Sequence, residues 1–261
     1  MLAYYVMDRC DVQREINVAA RGLKQPTEQH MLQLKRAARF LKGTADDVVY
    51  MPRPEKVTRG IVNLVAWTDT DHAGDLDTRL SQTSFRIEAD GVALVDASRK
   101  QDFPGVSSGE VEWYGCCTGA SELLFLKSIY EFFGFKVSAL LRTDSAAARG
   151  IGKRLGVGRL KHLDLRSLWL QRVIQERGIS LGVVTGINNK ADLGTKALDR
   201  KRFNELREMC QIMPRSRAME LAEGKSGYSS VNSISERSGE VVVDQLRYLT
   251  NVLTEFFQSE R

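Results

Sequence analysis

Three segments of strand period are crowded between Ile61 and Ser98, and this restricts the fold more than any other feature of the sequence. IVNLVAWTD, TSFRIEA and VALVDAS are separated by the turn-rich run DTDHAGDLD and by Asp90-Gly91, a pair suited to the positive φ angles of a tight hairpin. Three consecutive antiparallel strands follow from that spacing. The period then lengthens to that of a helix from Ser108 to Phe133, with Ser107 or Ser108 placed near Glu110 in capping-box fashion and Gly134 as the stop. A strand over Val137–Thr143, a helix after Asp144, a glycine-containing loop, a helix over Leu163–Arg177, a strand over Ile179–Thr185 and a helix from near Asn189 complete the pattern. The order β-β-β-α-β-α-α-β-α predicts an α/β fold, a mixed five-stranded sheet flanked by helices.

Upstream, Thr27 caps a predicted helix over Pro26–Lys42 whose apolar residues Met31, Leu34, Ala38 and Leu41 recur at spacings of three and four. Gly43 ends it. A short strand over Val48–Met51 and a Pro- and charge-rich connector, Pro52 to Gly60, follow. Ala45-Asp46-Asp47 reads as a turn, because Thr44 stands where the Tyr-x-Asp-Asp of a polymerase palm has its aromatic. After Met213 the pattern gives way to a Ser-, Gly- and charge-rich linker, then to an amphipathic stretch over Val241–Phe257. The expected divisions are therefore 1–60, 61–213 and 214–261.

With 43% hydrophobic and 27% charged residues in 261, a disordered or collagen-like chain is excluded. No apolar run approaches the roughly 18 to 20 uncharged residues of a membrane span, and MLAYYVMDRCDV meets charge too early for a secretory signal. An intracellular protein, cytoplasmic or nuclear, is expected. Cys10, Cys116, Cys117 and Cys210 lack C-x-x-C spacing, so neither a disulfide scaffold nor a zinc ribbon is expected. The net charge of +5 conceals opposing blocks: residues 61–150 carry 8 basic and 13 acidic side chains, and residues 151–213 carry 13 and 6. An acidic block beside a basic one suits a metal-binding centre flanked by a phosphate-binding surface.

Four carboxylates fall where this order of elements converges. Asp69 ends the first strand, Glu112 lies in the first turns of the long helix, Asp144 ends the fourth strand and Asp192 opens the helix after the fifth. Clustered carboxylates repel and need a cation, and hard oxygen donors favour Mg²⁺.

The residues also resemble a known family. AWTDTDHAGDLDTRLSQTSF, VSSGEVEWYG, LLRTDSAAA, RLKHLDLRSLWL and NNKADLGTKAL are similar, in order, to the motifs of the ribonuclease H domain of copia-type LTR-retrotransposon polyproteins. The upstream run YYVMDRCDVQREINVAARGLKQPTEQHMLQLKRAARFLKGT is similar to the C-terminal end of that family's reverse transcriptase. The resemblance covers about residues 4–213. It implies a ribonuclease H-like domain at 61–213, a reverse-transcriptase remnant at 1–60, and an endonuclease that hydrolyses the RNA strand of RNA–DNA hybrids. It implies two Mg²⁺ ions, with Mn²⁺ as a substitute, held by Asp69, Glu112, Asp144 and Asp192. Asp69 would bridge both ions, Glu112 and Asp144 would hold the leaving-group side, and Asp192 would complete the nucleophile side; Asp71 and Glu110 would support them. The implied partners are the hybrid and a reverse-transcriptase polymerase core, and no polymerase activity is expected of this chain alone.

The sequence departs from the family at His72, where Trp is common, and at Gly194, which is expected to loosen the helix presenting Asp192. VVTGINNKAD has no His before the last Asp, so His162 reads as a structural or phosphate-contacting residue. Lys153, Arg154, Arg159, Lys161, His162, Arg166 and Lys196 form the expected nucleic-acid-binding set. The competing expectation is a catalytically inactive retroelement remnant acting as a nucleic-acid-binding or interaction module.

Overall fold

A computed structural model describes residues 9–52, 60–75, 77–158 and 161–223. Residues 1–215 group into one compact unit and 216–261 into a second. In the first, β2 (Ile61–Thr70), β3 (Gln82–Ala89) and β4 (Val92–Lys100) are the three expected strands. The β3–β4 hairpin turns through Asp90 and Gly91, with φ of 48° and 85°. Then come α3 (Ser108–Phe132), β5 (Lys136–Thr143), α4 (Ala146–Gly152), α5 (Trp169–Gln175) and β6 (Ser180–Val183).

The sheet order is β4-β3-β2-β5-β6. β2 is antiparallel to β3 and parallel to β5, and β5 is parallel to β6. This is the expected ribonuclease H-like arrangement. Its functional consequence is that β2 and β5 run side by side to the same edge of the sheet, so Asp69 and Asp144 emerge together.

Helix α3 brings the third carboxylate to that edge. Ser107 caps it by accepting the Glu110 amide at 3.3 Å. Trp113, Cys116, Ala120 and Leu123 are buried against Leu64, Ala66, Phe85, Ile87 and Leu141 of the sheet. Close approach depends on Gly119, where a Cβ would lie 2.5 Å from Thr68 Cγ2.

Several expectations need correction. The upstream helix, α2 (Glu28–Gly43), is capped by Thr27 as expected, but it buries Ala37 with Leu34 and Leu41 and leaves Met31 and Ala38 exposed. A further helix, α1 (Cys10–Arg21), precedes it. Its Val12 and Ile16 pack with Leu34, Ala37 and Leu41 of α2, while Gln13 and Asn17 reach β4. The strand expected at Val48–Met51 is β1 (Asp47–Val49), and its antiparallel partner is the distant β7 (Ile212–Pro214), with Val48 opposite Met213. The single helix expected over Leu163–Arg177 is a 3₁₀ turn, Leu165–Ser167, followed by α5. The helix expected near Asn189 is two 3₁₀ turns, Gly186–Asn188 and Lys190–Gly194, followed by α6 (Arg200–Met209). Arg215–Ala222, expected as linker, forms helix α7; the Val241–Phe257 stretch lies outside the described residues.

Buried ion pairs tie α1 to α6 and β1. Asp11, with no exposed side-chain surface, accepts two bonds from Arg9 at 2.9 Å and one from Arg207 Nε at 2.8 Å, and Arg207 also pairs with Asp47. Asp11→Asn leaves two guanidiniums short of a buried counter-charge and should cost about 3 kcal/mol. Chemical denaturation checks this; a loss below about 0.5 kcal/mol would show that the network contributes little.

Candidate metal centre

Asp69, Glu112 and Asp144 meet at the sheet edge, and one carboxylate oxygen of each lies within 4.8 Å of the others. Asp69 is 1% exposed. Its Oδ2 accepts the Thr195 hydroxyl and its Oδ1 lies 3.3 Å from the Lys196 ammonium. Glu112 Oε2 is buried without a hydrogen-bond partner among the described residues. Burial, then repulsion from Asp69 and Asp144, pushes the Glu112 carboxyl up to about 8. A buried orphan oxygen aimed among oxygen donors fits a hard divalent cation, which would supply the missing partner and the missing charge.

Asp192 enters from the 3₁₀ turn Lys190–Gly194, which Asn189 caps by accepting the Ala191 amide at 3.3 Å. Burial and Asp69 raise its carboxyl to about 6. Its Oδ1 receives Lys196 Nζ at 2.6 Å and its Oδ2 faces Arg202 at 3.8 Å. Asp192 thus stands beside Asp69 but already holds cations, and it is not one of the three residues that share the 4.8 Å cluster.

Gly194 does not loosen this turn. A Cβ there would lie 2.3 Å from Ser84 Oγ, and the Gly194 carbonyl accepts Ser98 Oγ at 2.5 Å, so the glycine lets the turn press flat onto β3 and β4. Glu110, expected to support the centre, lies behind it. It accepts bonds from the Val106 amide and the Tyr114 hydroxyl, both at 2.7 Å, and is 3.5 Å from His162 Nε2. Asp71 Oδ1 accepts the Gln82 amide at 2.6 Å, which closes the β2–β3 turn. His72 Nε2 lies 3.4 Å from the Gly105 carbonyl.

The expected basic set is divided. Lys153 and Lys161 are exposed, while Arg154 donates to the Val157 carbonyl at 2.8 Å and so braces its own loop. Arg166 is exposed and pairs with Asp164 at 2.7 Å. Arg159 lies outside the described residues. Lys196 sits among the carboxylates rather than on this flank. Thr195 and Arg202 were missed by sequence reasoning; the only signal for them was their proximity to Asp192.

No family model matches the chain. The chain is similar in sequence to Pol polyproteins of plant retrotransposons. It is 26% identical over 206 residues, 78% of its length, to the retrovirus-related Pol polyprotein from transposon TNT 1-94 of Nicotiana tabacum. It is 26% identical over 205 residues, 77% of its length, to that from transposon RE2 of Arabidopsis thaliana. The chain spans 15% and 14% of those relatives, about a seventh of each. Among solved structures, the N-terminal RNase H domain of a Mycobacterium tuberculosis protein, fused to maltose-binding protein, aligns with a TM-score of 0.38 at 15% identity. That alignment covers 56% of this chain and 97% of that one. Among the described residues no helix is long and apolar enough to cross a membrane.

The raised Glu112 carboxyl fixes the sign of a pH effect. In the absence of metal its folded value of about 8 exceeds the ordinary 4.5, so its contribution to stability is present below pH 4.5 and is lost as pH rises toward 8. Glu112→Gln should therefore melt above wild type at pH 8.5 in chelator and with it near pH 4, while millimolar Mg²⁺ at pH 8.5 should stabilise wild type preferentially. Thermal denaturation checks both. A variant that melts below wild type at pH 8.5 in chelator would contradict the repulsion.

Proposed function

We propose that the chain is a divalent-metal-dependent endonuclease that hydrolyses the RNA strand of RNA–DNA hybrids, leaving 3′-hydroxyl and 5′-phosphate ends, within a copia-type reverse-transcription polyprotein. The observation that carries this reading is the Asp69–Glu112–Asp144 cluster with its buried, unpartnered Glu112 oxygen. These three carboxylates would hold the cation, with Asp192 completing the set beside Asp69. Mg²⁺ is the physiological ion in this reading and Mn²⁺ its substitute. The bound ion would supply Lewis acidity at the scissile phosphate and lower the pKa of the attacking water.

The chain's own residues do the positioning. β2 and β5 fix Asp69 and Asp144 on adjacent parallel strands, and the capped start of α3 presents Glu112 between them. Thr195 orients Asp69 through its hydroxyl bond. Exposed Lys153, Lys161, His162 and Arg166 would supply phosphate contacts. In this account residues 1–60 are the end of a reverse transcriptase and 61–213 the nuclease. A polymerase core from the same polyprotein is the partner, acting inside the cell.

The test is cleavage of an end-labelled RNA–DNA hybrid by wild type, Asp69→Asn and Asp144→Asn. Wild type should give products that depend on Mg²⁺ or Mn²⁺, and each variant should lose on the order of 10²-fold or more in rate. Absence of metal-dependent product from folded wild type would reject the enzyme and leave an inactive nucleic-acid-binding module.

A further inference from the structure

Charge around Asp69 is distributed unequally. On one side stand Glu112 and Asp144, and among the described residues neither carboxylate has a salt-bridge partner. On the other side Lys196 Nζ lies 2.6 Å from Asp192 Oδ1 and 3.3 Å from Asp69 Oδ1, and Arg202 Nη2 lies 3.8 Å from Asp192 Oδ2. The protein's own cations lie on the second side. The second already has a single positive charge in the gap between two carboxylates, the place a metal ion would need.

The backbone holds Lys196 to this place. The Lys196 amide donates to the Asp192 carbonyl at 3.1 Å, Thr195 binds Asp69 through its hydroxyl, and the Gly194 carbonyl is pinned by Ser98. The Lys196 side chain is 42% exposed, so its flexible stem can swing toward solvent while its Cα stays fixed. Asp69 accepts the Thr195 hydroxyl at Oδ2 and faces Lys196 at Oδ1, so an ion placed between Asp69 and Asp192 would meet the Lys196 ammonium.

We propose that Lys196 is a built-in counter-cation on the Asp192 side, so that the chain binds one divalent ion firmly at Asp69–Glu112–Asp144 and admits a second only by displacing the Lys196 ammonium. This rests on the metal-dependent reading above and goes beyond it, because it makes the two ion positions unequal and assigns the inequality to one residue. Lys196 thereby acts on metal occupancy rather than on the nucleic-acid backbone. Arg202, 19% exposed and bonded to the Gly186 and Ile187 carbonyls, stays in place and compensates Asp192 when Lys196 leaves.

Mn²⁺ binding to the full chain tests this, read by the electron paramagnetic resonance of free Mn²⁺ and by calorimetry. Wild type should bind one ion with a second at least tenfold weaker. Lys196→Gln should tighten that second site about tenfold or more, since a positive charge a few ångströms from a dication is removed, and Lys196→Arg should follow wild type. Two ions of equal affinity in wild type, or a Lys196→Gln isotherm that matches wild type, would overturn the proposal while leaving the metal centre intact. Should Lys196→Gln fail to fold, the wild-type ratio of the two affinities decides alone. No Mn²⁺ bound by folded wild type would reject the metal centre itself, and this proposal with it.

Discussion

Repulsion between carboxylates is the constraint around which this molecule is organised. Asp69, Glu112, Asp144 and Asp192 are brought together at one sheet edge, and burial, then the charge of Asp69, raises the Glu112 and Asp192 carboxyls. No local preference would assemble them. They are forced together by the parallel β2–β5 pair, by the buried face of α3 docking through Gly119, and by a turn pressed onto β3 and β4 through Gly194. Lys196 offsets the repulsion on one side, and the proposed cation would offset it on the other.

The upstream helix belongs to this organisation. α1 lies along β4, the edge strand of the sheet, and Gln13 and Asn17 donate to the Asp96 and Ser98 carbonyls at 3.2 and 2.9 Å. Side-chain amides thus occupy acceptors on an edge that would otherwise invite pairing with another chain. Arg14 Nε reaches further and donates to the Thr195 carbonyl at 2.9 Å, behind the residue that orients Asp69. Beneath α1, Arg86 is 2% exposed and is bonded by Glu88, Asp96 and the Cys210 carbonyl. Sequence reasoning set residues 1–60 apart as a division of their own; in the structure α1 covers the sheet edge and braces the turn carrying Asp192.

What was legible in the sequence was what local physics determines. The strand period from Ile61, the Asp90-Gly91 turn and the Ser107 cap each depend on neighbouring residues, and each appears where the pattern placed it. Asp69, Glu112 and Asp144 could be anticipated because each sits at an element end that these signals define. What escaped depends on distant partners. β7 becomes a strand only because β1 pairs with it, α1 sets Val12 and Ile16 against α2 while Gln13 and Asn17 reach β4, and the turn carrying Asp192 is held to β4 by the bond from Ser98 to the Gly194 carbonyl. Lys196 reads as one more basic residue until the fold places it between Asp69 and Asp192.

The central claim, that the sheet edge holds a divalent cation between Asp69, Glu112 and Asp144, is tested most directly by anomalous diffraction from crystals of the protein grown with Mn²⁺. The account predicts an anomalous peak ligated by one oxygen from each of these three carboxylates. A peak elsewhere, with Glu112 Oε2 still lacking a partner, would contradict it.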